Sequence, residues 1–129
     1  MTKPLLQVEN LRIALESGGT TFAATESVSF EIGRGEAFGL VGESGCGKST
    51  MGRCVLQLHK PTAGSVVFEG RELTTLSTQQ MRPVRRELQI VFQDPYASLN
   101  PRKSIEKILE EPFYLHGLGD AAKRRYHVR

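Results

Sequence analysis

At 129 residues the chain is long enough for one ordinary hydrophobic core and hardly for two. Hydrophobic residues make up 39% and charged residues 24%, which excludes disordered and fibrous classes. The net charge of +3 comes from Lys and Arg that are dispersed except at Arg82, Arg85, Arg86 and Lys123-Arg124-Arg125, with few aromatics between them, so no nucleic-acid partner is expected.

The longest apolar run, residues 37–41, is too short to cross a bilayer. The opening residues reach a polar side chain after Leu5 and Leu6, leaving no signal-peptide core. A cytoplasmic protein is expected, with any membrane association supplied by partners. If Cys46 and Cys54 share the start of one helix, about 12 Å of rise separates them, too far for a disulfide. With no paired-cysteine spacing or nearby histidine, both read as small buried or semi-buried fillers.

In chain order, residues 5–13 carry Leu6, Val8, Leu11 and Ile13 in rough alternation and read as a first strand. Residues 17–21 form a glycine turn. Val28, Phe30 and Ile32 alternate with Ser27, Ser29 and Glu31, the pattern of a strand with one wet face. Residues 37–41 (Ala-Phe-Gly-Leu-Val) are apolar on both faces, as in a strand buried within a parallel sheet. Residues 48–58 place Met51, Cys54, Val55 and Leu58 at helical spacing, with Pro61 and Gly64 stopping the helix. Residues 65–70 read as a short strand, 74–86 as short helix around Pro83, and 88–92 as another strand. A helix over 104–111, capped by Ser104 and closed by Pro112, precedes a last basic helix opened by Asp120.

Gly42-Glu43-Ser44-Gly45-Cys46-Gly47-Lys48-Ser49 matches G-x-x-x-x-G-K-[ST] without a mismatch. The glycines let the backbone turn tightly and aim N–H groups inward as a nest for phosphate oxygens. The helix that begins behind them adds the positive end of its dipole. Lys48 then reaches the β- and γ-phosphates, and the Ser49 hydroxyl is placed to hold Mg²⁺. A chance lysine in a glycine-rich turn is the bland alternative. The strand and helix expected on either side favour a phosphate loop.

The residues beyond that loop resemble the ATP-binding subunits of ABC transporters. Val28-Ser29-Phe30-Glu31-Ile32, Gly35-Glu36 and Leu40-Val41 leading into Gly42–Thr50 follow that family's opening order. Pro61-Thr62-Ala63-Gly64 and Val66-Val67-Phe68-Glu69-Gly70 look like its next segment. Met81-Arg82-Pro83-Val84-Arg85-Arg86, leading into Gln89-Ile90-Val91-Phe92-Gln93-Asp94-Pro95-Tyr96-Ala97-Ser98-Leu99-Asn100-Pro101-Arg102, is similar to the oligopeptide, dipeptide and nickel importer branch.

The resemblance implies an α/β P-loop NTPase fold, the ABC-type nucleotide-binding domain. Its N-terminal part would comprise an antiparallel β subdomain, the start of a RecA-like core and the start of a helical subdomain. Residues 1–92 would form the β and phosphate-loop portion, and 93–129 the Q-loop and the first of the helical subdomain. It also implies ATP and Mg²⁺ as ligands. Gly42, Glu43, Ser44, Gly45, Cys46, Gly47, Lys48, Ser49 and Thr50 would bind nucleotide, and Ser49 and Gln93 the metal. Lys48 and Gln93 would serve catalysis. Gln93 matches the Q-loop glutamine, which positions water and links the site to the membrane subunit; in isolation it reads as a solvated strand-end glutamine. Phe22 is the candidate for stacking on adenine, with packing at a strand edge as the alternative. Tyr96 carries no assigned role.

Implied partners are transmembrane permease subunits and a second ATP-binding subunit, alike or different, at the cytoplasmic face of the inner membrane. The chain departs from the family in carrying no L-S-G-G-Q motif, no apolar strand ending in Asp-Glu and no switch histidine; His59, His116 and His127 lie in other contexts. An N-terminal fragment is therefore expected, one that binds nucleotide better than it hydrolyses it and is poorly stable alone. Two readings stand: the energy-coupling ATPase component of a peptide-type importer, and a non-catalytic nucleotide-binding fragment. A small-molecule kinase or GTPase would share the loop but leave residues 92–102 unexplained.

Overall fold

The structure, a computed structural model, describes residues 3–94 and 96–128, with the side chains of residues 15–17, 21 and 22 outside the description. It separates into two compact units, 3–81 and 82–128, with the boundary inside one short helix.

The first unit is built on an antiparallel sheet. Strands β1 (Leu6–Ser17) and β2 (Thr20–Ile32) form a hairpin across Gly18 and Gly19. Both glycines have positive φ, 59° and 80°, as a two-residue primed turn needs to match the twist of its strands. Strand β3 (Ala63–Phe68) joins the other edge of β1, and the short β4 (Arg71–Glu72) follows, giving the order β2-β1-β3-β4.

The rough alternation of β1 has a physical cause. Leu6 and Val8 face the core, then the register shifts, and Leu11 and Ile13 face it again. Asn10 absorbs the extra residue with φ at 48°; its N–H donates to Ser29 Oγ at 2.8 Å and its Oδ1 accepts from Ser27 Oγ at 3.2 Å. This is a β-bulge that keeps four apolar side chains on one face. Val66 and Phe68 of β3, together with Leu73, are buried in the same unit.

Helix α1 (Lys48–Val55) contributes Met51, Cys54 and Val55 to the buried set, at the spacing read from the sequence. It ends earlier than expected and not at Pro61. Gln57 takes φ 54°, its N–H donates to Cys54 O at 3.0 Å, and Leu58 N–H donates to Arg53 O at 2.8 Å. That pair of bonds is a Schellman ending, which turns Leu58 out to 43% exposure.

Helix α2 (Thr78–Val84) contains Pro83. In the second unit, α3 (Ile105–Leu115) starts at Ser104, whose Oγ accepts from Lys107 N–H at 3.4 Å. Pro112 does not close α3, contrary to the sequence reading. Proline removes one donor and crowds one carbonyl, and here only three helical residues follow it, Phe113 to Leu115, so the helix tolerates it. Gly117 and Gly119, at φ 65° and 69°, turn the chain into α4 (Ala121–Val128). Asp120 Oδ1 caps that helix by accepting from Lys123 N–H at 2.8 Å. The two helices meet through Phe113 stacked on His127, ring centres 5.8 Å apart, and the Arg124 guanidinium 5.6 Å from the Tyr114 ring centre.

The strands expected over 37–41 and 88–92 are not formed. Both segments are irregular, with Val41 91% and Val91 95% exposed. A parallel strand buried on both faces needs neighbours to take its N–H and C=O groups. Among the described residues no strand pairs with either segment, so their apolar side chains stay at the surface. Phe38 finds partial cover by stacking on Phe30 of β2, ring centres 4.8 Å apart and planes 13° from parallel.

Candidate functional site

The glycine-rich loop leads directly into α1. Gly45 and Gly47 have φ of 83° and 92°, a region that side chains with a Cβ avoid. Cys46 N–H donates to Glu43 O at 3.3 Å, closing the turn that the first glycine permits. The first intrahelical bond runs from Met51 N–H to Gly47 O at 2.8 Å. The N–H groups of Lys48, Ser49 and Thr50 therefore precede the helical ladder, and Gly47 supplies no side-chain cap to take them. A helix start of this kind presents donors and positive dipole to an anion.

Lys48 folds back across the loop. Its ammonium donates to Gly42 O at 2.7 Å and Glu43 O at 2.5 Å, and lies 3.5 Å from Cys46 Sγ. The one flexible cation of the loop is thus held above its backbone by two carbonyls. Ser49 is exposed beside it. A Cβ on Gly42 would come within 2.7 Å of Cys46 Sγ, and a Cβ on Gly47 within 2.7 Å of Ala24 O and 3.3 Å of Thr25 Cγ2. The second contact shows that β2 buttresses the loop from behind. Sequence reasoning did not find this buttress, because nothing in the pattern of β2 signals which loop it touches.

The two cysteines differ. Cys46 is exposed within the loop, which corrects the reading of it as a buried or semi-buried filler; its Sγ lies over Gly42 and beside the Lys48 ammonium. Cys54 is buried in α1, and that burial pushes its thiol pKa up. A maleimide is expected to label only Cys46 in the folded chain, with Cys54 reacting after denaturation. Mass spectrometry of the labelled peptides checks this, and native labelling of Cys54 would contradict the burial.

Gln93 lies in the second unit, exposed in a bend rather than at the end of a formed strand. Next to it, Asp94 Oδ1 accepts from Tyr96 and Ala97 N–H groups at 2.9 and 3.1 Å, a local turn that carries Tyr96 to 88% exposure. The Phe22 side chain lies outside the described residues, so its stacking role has no geometry here. A separate concavity of about 680 Å³ in the first unit is lined by Lys3, Glu31, Arg34, Glu36 and Glu69. Arg34 and Glu69 pair there at 2.5 Å, Glu36 accepts from Gly33 N–H at 2.6 Å, and three glutamates against Lys3 and Arg34 make the lining unfavourable to an anion. Among the described residues, no helix is long and apolar enough to cross a membrane.

Comparison with known proteins places this geometry in a family. The ABC transporter family model matches residues 25–128. YkfD of Bacillus subtilis is 48% identical over 126 residues, covering 97% of this chain and 38% of that protein. AppF of the same organism, an oligopeptide transport ATP-binding protein, is 48% identical over 106 residues, covering 81% of this chain and 32% of its own length. The chain thus spans well under half the length of these curated relatives. Among solved structures, the ATP-binding cassette MJ0796, captured as a post-hydrolysis dimer with ADP and Pi, superimposes with a TM-score of 0.79 at 26% identity. That match covers 95% of this chain and 53% of MJ0796. With a family match over most of its length and a backbone that follows an ATP-binding cassette, the chain belongs to the ABC transporter family.

Proposed function

We propose that the chain is part of the ATP-binding, energy-coupling subunit of a peptide-type importer. The observation that carries this is the uncapped start of α1 beneath the Lys48 ammonium, with two glycines at positive φ in front of it. Phosphate oxygens fit that arrangement: they would accept from the loop N–H groups and draw Lys48 from its carbonyl partners. Gly42–Thr50 would hold the nucleotide, and Ser49 and Gln93 would hold the Mg²⁺. Bound Mg²⁺ would offset phosphate charge during transfer of the γ-phosphoryl group to water. Phe22 is the proposed adenine contact.

The names of the relatives support peptide as the imported solute, and the string from Phe92 to Arg102 belongs with that reading. The Q-loop at Gln93 would couple to transmembrane permease subunits, with a second ATP-binding subunit completing the assembly on the cytoplasmic face of the membrane. A division at residues 92 and 93, between the β and phosphate-loop portion and the helical portion, is part of the same proposal.

Titration of MgATP into the purified chain is the direct test. Saturable binding that inorganic triphosphate displaces and adenosine does not is expected. No saturable binding would remove the proposal. A second reading, a nucleotide-binding piece without hydrolysis, is favoured for the isolated chain by the unpaired segments 37–41 and 88–92. Steady phosphate release from the isolated chain, lost in Lys48→Ala, would decide against that second reading.

A further inference from the structure

Thr25 lies where β2 touches the phosphate loop, and its Oγ1 is the buried side-chain atom that finds no hydrogen-bond partner among the described residues. It pairs across the hairpin with Ile13, which is 2% exposed, so the two side chains share the inward face of the sheet. The hairpin register shifts on both sides of that pair, between Leu11 and Ile13 and again between Ile13 and Ala14. The strand is therefore least regular at the point where it buttresses the loop. On the loop side, Gly47 approaches so closely that a Cβ would lie 3.3 Å from Thr25 Cγ2 and 2.7 Å from Ala24 O.

A valine would fill the same volume without an orphaned hydroxyl, which a core residue with only a packing role would favour. The orphan belongs instead to the residue whose methyl meets Gly47, the glycine that leads into α1, in a loop whose Lys48 would leave the Gly42 and Glu43 carbonyls when phosphate arrives. We propose that Thr25 is a positioning residue of the phosphate loop, whose buried hydroxyl gains a hydrogen bond from the loop backbone when the loop closes on nucleotide phosphate. This rests on the phosphate-loop reading given above. The hydroxyl then biases the loop toward its closed arrangement, because closure relieves an unsatisfied group as well as binding the anion.

The test compares Thr25→Val and Thr25→Ser in the full chain by calorimetric titration with MgATP and by thermal melting without nucleotide. Thr25→Val should melt at or above the wild-type temperature, while its ATP affinity falls about three- to tenfold, the worth of one hydrogen bond. Thr25→Ser, which keeps the hydroxyl, should bind nearly as the wild type does. Unchanged affinity in Thr25→Val, or a loss in Thr25→Ser as large as that in Thr25→Val, would overturn the proposal, the latter by showing that keeping the hydroxyl does not keep the affinity. Lys48→Ala in the same series separates the two ideas: if it binds ATP as the wild type does, the phosphate-loop reading has failed, whereas its loss of binding beside an unaffected Thr25→Val discards only the role of Thr25.

Discussion

Lys48→Ala is expected to abolish measurable ATP binding, with a loss of at least about 100-fold, as removal of two charge-assisted hydrogen bonds implies. In the structure the Lys48 ammonium is held by Gly42 O and Glu43 O at 2.7 and 2.5 Å, at the mouth of the loop. No other cation extends from within the loop, since its remaining residues are Gly42, Glu43, Ser44, Gly45, Cys46, Gly47, Ser49 and Thr50. The N–H groups at the start of α1 would remain in the variant and retain weak attraction for phosphate. Folding should be little affected, because Lys48 makes its bonds to the exposed side of the loop. Calorimetric titration beside circular dichroism checks both halves. Unchanged affinity would show that nucleotide, if bound, is held elsewhere.

Gly64→Ala should destabilise the first unit on the order of 3 kcal/mol, combining a left-handed backbone with an overpacked contact. Gly64 has φ 91° in β3, and a Cβ there would lie 2.4 Å from Asn10 O and 2.6 Å from Glu9 O. Those oxygens belong to the β1 bulge, which keeps Leu11 and Ile13 on the core face. Backbone cannot move aside as a flexible side chain can, so the substitution has to part β3 from β1 or undo the bulge. For a domain of ordinary stability, such a loss removes a large fraction of the total. A urea titration followed by circular dichroism reads it as a lowered midpoint. A midpoint equal to that of the wild type would mean that β3 and β1 do not cross so closely.

The glycine-rich loop was legible because its conformation depends on local properties: glycines at positive φ and a helix that starts directly behind them. The face of α1 was legible for the same reason, since Met51, Cys54 and Val55 follow the helical repeat. Strand β1 was only partly so. Its apolar residues at 6, 8, 11 and 13 break a strict period of two, and the bulge at Asn10 reconciles them with one face. The end of α1 was misplaced because Pro61 is the visible stop signal, whereas Gln57 in a left-handed conformation is the real one. Glutamine carries no sequence signature for that position.

Residues 37–41 and 88–92 mark the boundary between pattern and structure. Their composition fits buried strands, yet a strand is a property of a pair, and the described residues offer neither segment a partner. By itself, then, the sequence determined what is encoded locally: the glycine-rich loop, the helix behind it, the caps at Ser104 and Asp120, and the family likeness. Only the tertiary structure decided which strands form, that Cys46 is exposed while Cys54 is buried, and that β2 supports Gly47 through Ala24 and Thr25. The physical reason is that strand pairing, burial and close backbone approach join residues far apart in the chain, and no short-range pattern records which ones meet.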